Sequence, residues 1–287
     1  MQLITLTSDM GIKDHYLASM KGAIYSASPS IQIVDISHTI VSFSTTETAY
    51  CIAHCFESFP IGTIHIIAVN SEPMINLNNE ELSYLPSILL FKGHYFVGTD
   101  NGIFSLLVQN EVFEGFWRID NVLSNKNIFI FPAKNILAPA ACKLANGIAI
   151  ETFCSVQAEF KRATTALPIT EPNVIKGSVI QIDHFGNIIT NISKEIFYSF
   201  GENTPFTIYF RKVEYCIDEI SSSYTDVPHG EKLAIFNSDN YLEIAVNHGS
   251  LDRKNGASTL FGISLKDTIR IEFTPPGSRA TIESLFL

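Results

Sequence analysis

Asp9 is the first residue in the chain whose type and position suggest chemistry. It ends the apolar run Leu3–Ser8 and is followed closely by Gly11. The run predicts a buried strand, and in an open α/β sheet the ligand lies beyond the carboxyl ends of the strands. A carboxylate there can accept one hydrogen bond from each hydroxyl of a ribose diol. The same residue could instead cap a helix or complete a turn, and spacing alone leaves both roles open.

Two polar clusters in the second half of the chain are further candidates for ligand binding. One is Asp183-His184-Phe185-Gly186-Asn187, in which an acid, an aromatic ring and an amide flank a glycine that permits close backbone approach. The other is Asn237-Ser238-Asp239-Asn240-Tyr241. A hairpin turn explains the first cluster equally well, and a plain β-turn explains the second.

Composition excludes several classes of function. The chain has 287 residues, 46% of them hydrophobic and 17% charged, which predicts one large or two smaller domains with a substantial core. The formal net charge of −10 disfavours nucleic-acid binding, which needs a basic face. No apolar run is long enough to span a bilayer, and the N-terminus lacks the basic region of a signal peptide. The glycine motifs of dinucleotide-binding proteins and P-loops are also missing.

The cysteines indicate a reducing compartment. There are five, an odd number, and their spacing is irregular. We therefore expect reduced thiols in a cytoplasmic protein. Cys51, His54 and Cys55 are close enough to suggest a metal site, but their spacing matches no usual zinc pattern, so no metal is expected.

Periodicity predicts the elements that would position these residues. A strand at 3–8, a helix at 14–27 and a strand at 31–36 form a βαβ unit, whose right-handed crossover makes the strands parallel. Ser44-Thr45-Thr46-Glu47 matches a capping box at the start of a second helix. The apolar run 64–69 is a third strand and ends at Asn70.

The two halves of the chain differ in pattern, which predicts two domains. Residues 1–165 are expected to form an α/β, Rossmann-like domain with a mostly parallel sheet. It would include a hairpin at 88–97, an apolar strand at 128–131 and a helix at 139–147. Residues 166–176, with Pro168 and Pro172, are predicted to be a linker, and 177–287 an all-β, barrel-like domain built from short strands.

A series of short motifs connects the chain to a known family. They are Leu6-Thr7-Ser8-Asp9-Met10-Gly11, Val34-Asp35-Ile36-Ser37-His38, Asp100-Asn101-Gly102, Ala138-Pro139-Ala140-Ala141, Asp183-His184-Phe185-Gly186-Asn187 and Asn237-Ser238. In this order they resemble the S-adenosylmethionine hydroxide adenosyltransferases, whose superfamily contains the fluorinases and chlorinases. The resemblance covers nearly the whole chain. It implies an α/β N-terminal domain, a C-terminal β-barrel, and a homotrimer with sites between the N-domain of one subunit and the C-domain of its neighbour.

The resemblance also implies roles for individual residues toward a small adenosyl ligand. Asp9 would hold the ribose hydroxyls, and Phe43 would lie beside the ligand. Asp183 would meet the methionine ammonium and Ser238 the methionine carboxylate. A cationic amine favours a carboxylate partner, which makes the role of Asp183 physically reasonable.

The remaining implied positions surround adenine. Phe185 and Tyr224 would cover its faces, and Asn187 would meet its edge, while Asn247 and His248 would present backbone groups to it. No separate cofactor is implied, since S-adenosylmethionine is itself the substrate or ligand. Aromatic rings suit a purine face and an amide suits a purine edge.

The sequence departs from the family at the groups that activate water. The hydrolases use an Asp, an Arg and a His, whereas Asn70, Leu77 and Pro132 stand at the matching positions here. Asn70 is the catalytic candidate that remains, because its carbonyl can orient water although it cannot take a proton. Either Glu72, Glu80 or Glu81 replaces the base, or these residues form a solvated acidic loop.

The resemblance therefore implies a weakened S-adenosylmethionine hydrolase that forms adenosine and methionine. A slow reaction can persist by positioning alone, because the sulfonium is an excellent leaving group. A binding protein without turnover and a family member that uses another nucleophile are the alternatives.

Overall fold

The chain forms two compact units, Met1–Thr165 and Ala166–Leu287. The computed structural model describes residues 2–76, 83–109, 111–120, 129–164 and 166–274, with backbone alone at 212–214. Each unit has its own sheet and its own buried apolar clusters.

The first unit is built on a mixed sheet. Its described strands are β1 (Leu3–Ser8), β2 (Gln32–Ser37), β3 (Ile64–Ala68), β4 (Pro86–Phe91), β5 (His94–Thr99), β6 (Gly115–Ile119) and β7 (Cys154–Val156). Their order is β2-β1-β3-β5-β4-β6-β7. The pairs β2–β1, β1–β3 and β3–β5 are parallel, and the remaining pairs are antiparallel. The switch occurs at β4–β5, where a tight turn at Lys92 and Gly93 forces antiparallel pairing.

Helices cover both faces of this sheet. They are α1 (Tyr16–Ala27), α2 (Thr45–Ala53), α3 (Ile103–Val108) and α4 (Ala138–Ala145), the last preceded by a π-helical turn over Ala133–Leu137. Successive residues of β3 point to opposite faces. Ile66 packs in a core with residues of α1 and α4, and Ile67 packs in a second core with residues of α2 and α3. The sheet is therefore buried on both sides, as the apolar run of β3 predicts.

The prediction of a strand at 128–131 is wrong. Residues 129 and 130 are helical, and Ile128 lies outside the described residues. The apolar residues here lead directly into Pro132, which begins the π-helical turn before α4. A short apolar run does not distinguish a buried strand from a helix start, and the tertiary context decides.

The second unit is antiparallel and barrel-like. Its described strands are β8 (Ile169–Glu171), β9 (Val174–Ile182), β10 (Ile188–Ser193), β11 (Phe206–Phe210), β12 (Lys212–Ile217), β13 (Lys232–Phe236), β14 (Tyr241–Val246) and β15 (Thr268–Phe273). The order is β12-β11-β15-β9-β10-β14-β13, and β8 pairs with β9. This unit also contains the short helices α5 (Lys194–Tyr198) and α6 (Ala257–Phe261) and a 3-10 helix over Tyr224–Asp226. The long strand β9 pairs with β15 near its start and with β10 near its end, which curves the sheet around one core.

The segment 166–176, predicted as a linker, belongs to this second unit. It contains β8 and the start of β9, which pair through Glu171 and Val174. Pro172 and Asn173 form the intervening two-residue turn, and Asn173 has a positive φ of 60°. Pro172, one of the two prolines that suggested a linker, therefore belongs to a hairpin turn.

Candidate functional site

The carboxylate of Asp9 joins three segments of the first unit. Its Oδ2 accepts a hydrogen bond from the backbone N–H of Phe43 at 2.9 Å and a longer one from that of Asn70 at 3.4 Å. Phe43 follows β2 and Asn70 follows β3, so both lie at the same edge of the sheet as the end of β1. The structure thus brings together the three residues of this half that the sequence predicted for the site.

Both partners of Asp9 have unusual backbone conformations. Phe43 has a φ of 66° and Asn70 a φ of 46°, in the left-handed region that few residues other than glycine adopt. The Phe43 side chain is 65% exposed, so its ring is available for contact with a ligand. Strained backbone held by contacts from elsewhere in the fold is common where a binding group must be placed accurately.

His38 holds the turn that contains Asp9. Its Nδ1 lies 2.7 Å from Oγ of Ser8, and its backbone carbonyl accepts the N–H of Gly11 at 2.8 Å. Both Ser8 and His38 are buried. His38 and Ser8 were part of the family motifs, but the sequence did not single them out as site residues.

Asn101 is a second residue of this edge that the sequence did not single out. Its Nδ2 donates to the carbonyl of Asn70 at 2.9 Å, and its Oδ1 accepts the N–H of Ile103 at 3.3 Å. The preceding Asp100 uses both carboxylate oxygens to accept the N–H of Lys161, at 3.0 and 3.1 Å. Burial raises the pKa of Asp100 to about 6, although the contacts with Lys161 oppose the shift. Asp100 therefore fixes the backbone at Lys161, while Asn101 fixes the backbone at Asn70.

The structure describes some of the residues that stand at the water-activating positions, and some of the acidic residues that could replace the base. The backbone N–H of Asn70 lies beside the Asp9 carboxylate. Pro132 is buried at the start of the π-helical turn and has no side chain that could bind water. Leu77, Glu80 and Glu81 lie outside the described residues, which leaves Glu72 as the described member of the three acidic candidates.

In the second unit, Asp183 organises the turn between β9 and β10. Its Oδ1 accepts the N–H groups of Phe185 at 2.9 Å and Asn187 at 2.8 Å, and its Oδ2 accepts Nδ2 of Asn187 at 3.0 Å. Gly186 has a φ of 80°, and a Cβ there would lie 3.0 Å from Cα of Gly256, so the turn requires glycine. The Phe185 ring is exposed beside this turn.

Tyr224 is connected to this region through a buried acid. Its hydroxyl donates to Oε1 of Glu243 at 2.7 Å, and the Glu243 side chain is almost fully buried in β14. Burial raises the pKa of Glu243, and the negative charge of Asp183 adds to the shift. Burial also raises the pKa of Tyr224, as does its contact with Glu243. Glu243 was missed because it lies inside an apolar strand sequence.

The remaining predicted residues lie in loops of the second unit. Ser238 is in the turn between β13 and β14, where its Oγ lies 3.4 Å from Oδ1 of Asp239. Asn247 is buried and its Nδ2 donates to the carbonyl of Val227 at 2.7 Å. His248 has a φ of 60° and stacks on His229, with ring centroids 3.9 Å apart.

Within the described ranges, no group of three or more His, Cys, Asp or Glu residues is arranged to hold a metal ion. At the Cys51–Cys55 cluster, Nδ1 of His54 lies 2.6 Å from the carbonyl of Tyr50. None of the helices in the part of the chain that the structure describes has the length and apolar character needed to cross a membrane.

Comparison with known proteins gives consistent similarities for both units. Residues 4–154 match the SAM hydroxide adenosyltransferase N-terminal domain, and residues 177–270 match the corresponding C-terminal domain. The chain is 25% identical to an (R)-S-adenosyl-L-methionine hydrolase of Methanocaldococcus jannaschii, over 94% of this chain and 96% of that protein. It is 24% identical to a fluorinase of Nocardia brasiliensis, over 87% and 91%. A crystal structure of an uncharacterized conserved protein from Thermotoga maritima superposes with a TM-score of 0.79 at 26% identity, over 94% and 99%.

Proposed function

The chain belongs to the SAM hydroxide adenosyltransferase family, and from this premise we propose that it hydrolyses S-adenosyl-L-methionine to adenosine and L-methionine. The observation that supports this most directly is the shared contact of Asp9 with Phe43 and Asn70. The carboxylate and the backbone N–H groups of Phe43 and Asn70 come from three segments, and they meet at the edge of the sheet where ligands of α/β proteins bind.

In the proposed reaction, the oxygen of a water molecule attacks C5′ of the ribose. The C5′–S bond breaks, and its electron pair remains on sulfur, which leaves as the neutral thioether of methionine. The proton lost by the attacking water passes to solvent. The ribose hydroxyls would donate to Asp9, which has acceptor capacity beyond the two N–H groups it already binds. Asn70 would orient the water through its side-chain carbonyl.

The second unit would bind the methionine and adenine parts of the ligand. Asp183 would accept the ammonium group, and Ser238 would donate to the carboxylate. Asn187 supports an adenine contact, because donation of its Nδ2 to Asp183 fixes which end of the amide is the acceptor. Phe185 and Tyr224 would cover the purine, while Asn247 and His248 would meet its edge.

The expected reaction is slow. A positioned general base contributes about 10²–10⁴-fold to a rate, and Asn70 can accept a hydrogen bond but not a proton at neutral pH. The sulfonium leaving group needs no protonation, so positioning of the reactants still gives a measurable rate.

We further propose that the protein acts as a cytoplasmic homotrimer, with each site formed by the N-domain of one subunit and the C-domain of its neighbour. The family resemblance supports this arrangement. The division of the proposed ligand residues between the two units is consistent with it, since Asp9, Phe43 and Asn70 belong to one unit and Asp183, Asn187 and Ser238 to the other.

The test is incubation of the pure protein with S-adenosyl-L-methionine in H₂¹⁸O, followed by chromatography and mass spectrometry. The expected products are equal amounts of methionine and adenosine carrying ¹⁸O at O5′. The matched control is Asp9→Asn, which keeps the size of the side chain but removes its charge and should reduce the yield. The proposal is wrong if the wild type forms no more adenosine than buffer alone.

A ligand-binding protein without turnover is the second candidate, because Asn70 and Pro132 stand where the activating groups are expected. Calorimetry with S-adenosyl-L-methionine and with adenosine separates the two. Tight binding without product supports the second candidate, and absence of binding excludes it. A 5′-substituted adenosine, formed when small anions are added, would instead indicate a different nucleophile.

A further inference from the structure

The turn that carries Asp9 is held at both ends by one residue. On the N-terminal side, Oγ of Ser8 lies 2.7 Å from Nδ1 of His38, and on the C-terminal side Gly11 donates its N–H to the His38 carbonyl at 2.8 Å. Ser8 is 1% exposed and His38 is 6% exposed. The backbone that sets the direction of the Asp9 side chain therefore lies between two contacts of His38.

The other side of the His38 ring faces an ion pair. Its Nε2 lies 3.1 Å from Oδ1 of Asp35, and Oδ2 of the same carboxylate accepts Nζ of Lys21 at 2.6 Å. Burial by itself would raise the pKa of Asp35, but the contacts with Lys21 and His38 outweigh it and the pKa is lowered. The contact of Nε2 with Asp35 is close but lacks the alignment of a hydrogen bond, so the contact of Nδ1 with the Ser8 hydroxyl is the hydrogen bond that fixes the ring.

The pairing of β1 with β2 is irregular just before Ser8 and His38. In the β1–β2 pairing, Leu6 is opposite Asp35, but the next residue, Thr7, is opposite Ser37. One residue of β2 is therefore unpaired at the end of the strand. Such bulges redirect the side chains that follow them, and they are frequent beside functional sites.

We infer that His38 is a positioning residue for Asp9: through Ser8 it holds the carboxylate in the orientation that receives the two hydroxyls of a ribose. This inference rests on the proposed function, because it assumes that the ligand is an adenosyl compound. It adds to the proposed function a residue that acts without touching the ligand. It also predicts a measurable property, the preference of the protein for a ribose diol over a ribose without hydroxyls.

The experiment measures the dissociation constants of adenosine and 2′,3′-dideoxyadenosine by calorimetry on the full chain. A hydrogen bond to a charged group contributes enough that the wild type should prefer adenosine by roughly 10²-fold. Ser8→Ala and His38→Leu should each reduce this ratio by about tenfold, and the double variant should reduce it no further. His38→Asn retains an acceptor near the position of Nδ1, so it should keep the ratio within about threefold of the wild type.

Thr5→Val is the matched control. It removes a buried hydroxyl–imidazole contact of the same length, 2.7 Å between Oγ1 of Thr5 and Nδ1 of His65, from the same strand. It should lower the melting temperature about as much as Ser8→Ala while leaving the diol preference unchanged. If His38→Leu fails to fold, Ser8→Ala removes the same contact from the other side.

The results that would contradict the inference differ in what they say about the proposed function. The inference is overturned if Ser8→Ala and His38→Leu keep the wild-type ratio, or if Thr5→Val lowers it equally. A wild type that binds both nucleosides with equal affinity would show that Asp9 does not hold the diol, which overturns the inference but leaves adenosyl binding intact. A wild type that binds neither nucleoside nor S-adenosyl-L-methionine overturns the proposed function together with the inference.

Discussion

His65 should make the first unit sensitive to acid. Its side chain is 1% exposed, its Nδ1 lies 2.7 Å from Oγ1 of Thr5, and its Nε2 lies 3.2 Å from Nδ1 of His94. Burial, with a smaller effect from His94, lowers the pKa of His65 to about 3. The neutral ring is therefore the form that the folded core accepts, and the unfolded chain binds a proton more readily.

The direction and size of the effect follow from this difference. An unfolded histidine has a pKa of about 6.5, so stability is lost as the pH falls from that value toward 3. Each pH unit costs about 1.4 kcal/mol of the free energy of unfolding, and the loss between pH 7.5 and pH 4.5 is therefore about 2.5 kcal/mol. Burial also lowers the pKa of His94, which adds in the same direction.

The assay is urea denaturation at several pH values, comparing the wild type with His65→Gln. The chain has a single tryptophan, Trp117 in β6, so its fluorescence reports on the sheet that contains His65. Gln retains hydrogen-bonding groups but does not titrate, so the wild type should lose about 2.5 kcal/mol relative to the variant as the pH falls from 7.5 to 4.5.

A second variant separates titration from general destabilisation. Ile52→Val removes one methyl group from a fully buried side chain on α2, and it should lower stability by about 0.5–1.5 kcal/mol at every pH. Its pH profile should therefore run parallel to that of the wild type. If the profile of His65→Gln is also parallel to that of the wild type, the reasoning about the buried imidazole is refuted.

Three further predictions concern the proposed sites. Asn70→Asp should raise the rate of adenosine formation by about 10²-fold, the lower end of the 10²–10⁴-fold that a positioned base contributes. Steady-state chromatography measures the rate, and an unchanged rate contradicts the prediction. Gly186→Ala should cost about 1–3 kcal/mol, because of its positive φ and the short approach to Gly256, and should weaken adenosine binding in calorimetry. Tyr224→Phe removes one of two side-chain hydrogen bonds to the buried Glu243, the other being with Asn237, and should cost about 1 kcal/mol; an unchanged melting temperature in scanning calorimetry contradicts this.

Local features of the first unit could be predicted well from sequence. The run Leu3–Ser8 forms β1 with Asp9 at its end, and Ser44 caps α2 by accepting the N–H of Glu47 at 3.3 Å. These features depend on residues that are adjacent or a few positions apart, so the pattern of side chains contains the information. In a capping box the Glu47 carboxylate would accept the backbone N–H of Ser44, but here it accepts the N–H of Val41.

The second unit shows where local patterns mislead. Pro168 and Pro172 suggested a linker, yet Pro172 forms the turn of the β8–β9 hairpin together with Asn173. Turn residues have the same composition in linkers and in hairpins. Glu243 could not be identified from the sequence as a partner of Tyr224, because the residues around an acid in an apolar strand do not reveal which distant residue it contacts. One of its hydrogen bonds comes from Tyr224, 19 positions away in the chain.

The sequence by itself determined the α/β and all-β character of the two halves, the position of Asp9 at a strand end and, through its motifs, the family. Only the tertiary structure decided which groups surround that carboxylate. Phe43 and Asn70 are 34 and 61 residues from Asp9, and they meet it because β2, β1 and β3 are neighbours in the sheet. The shift in register between β1 and β2, next to Ser8 and His38, is likewise a property of strand pairing. Pairing depends on the packing of both faces of the sheet at once, and no short stretch of residues contains that information.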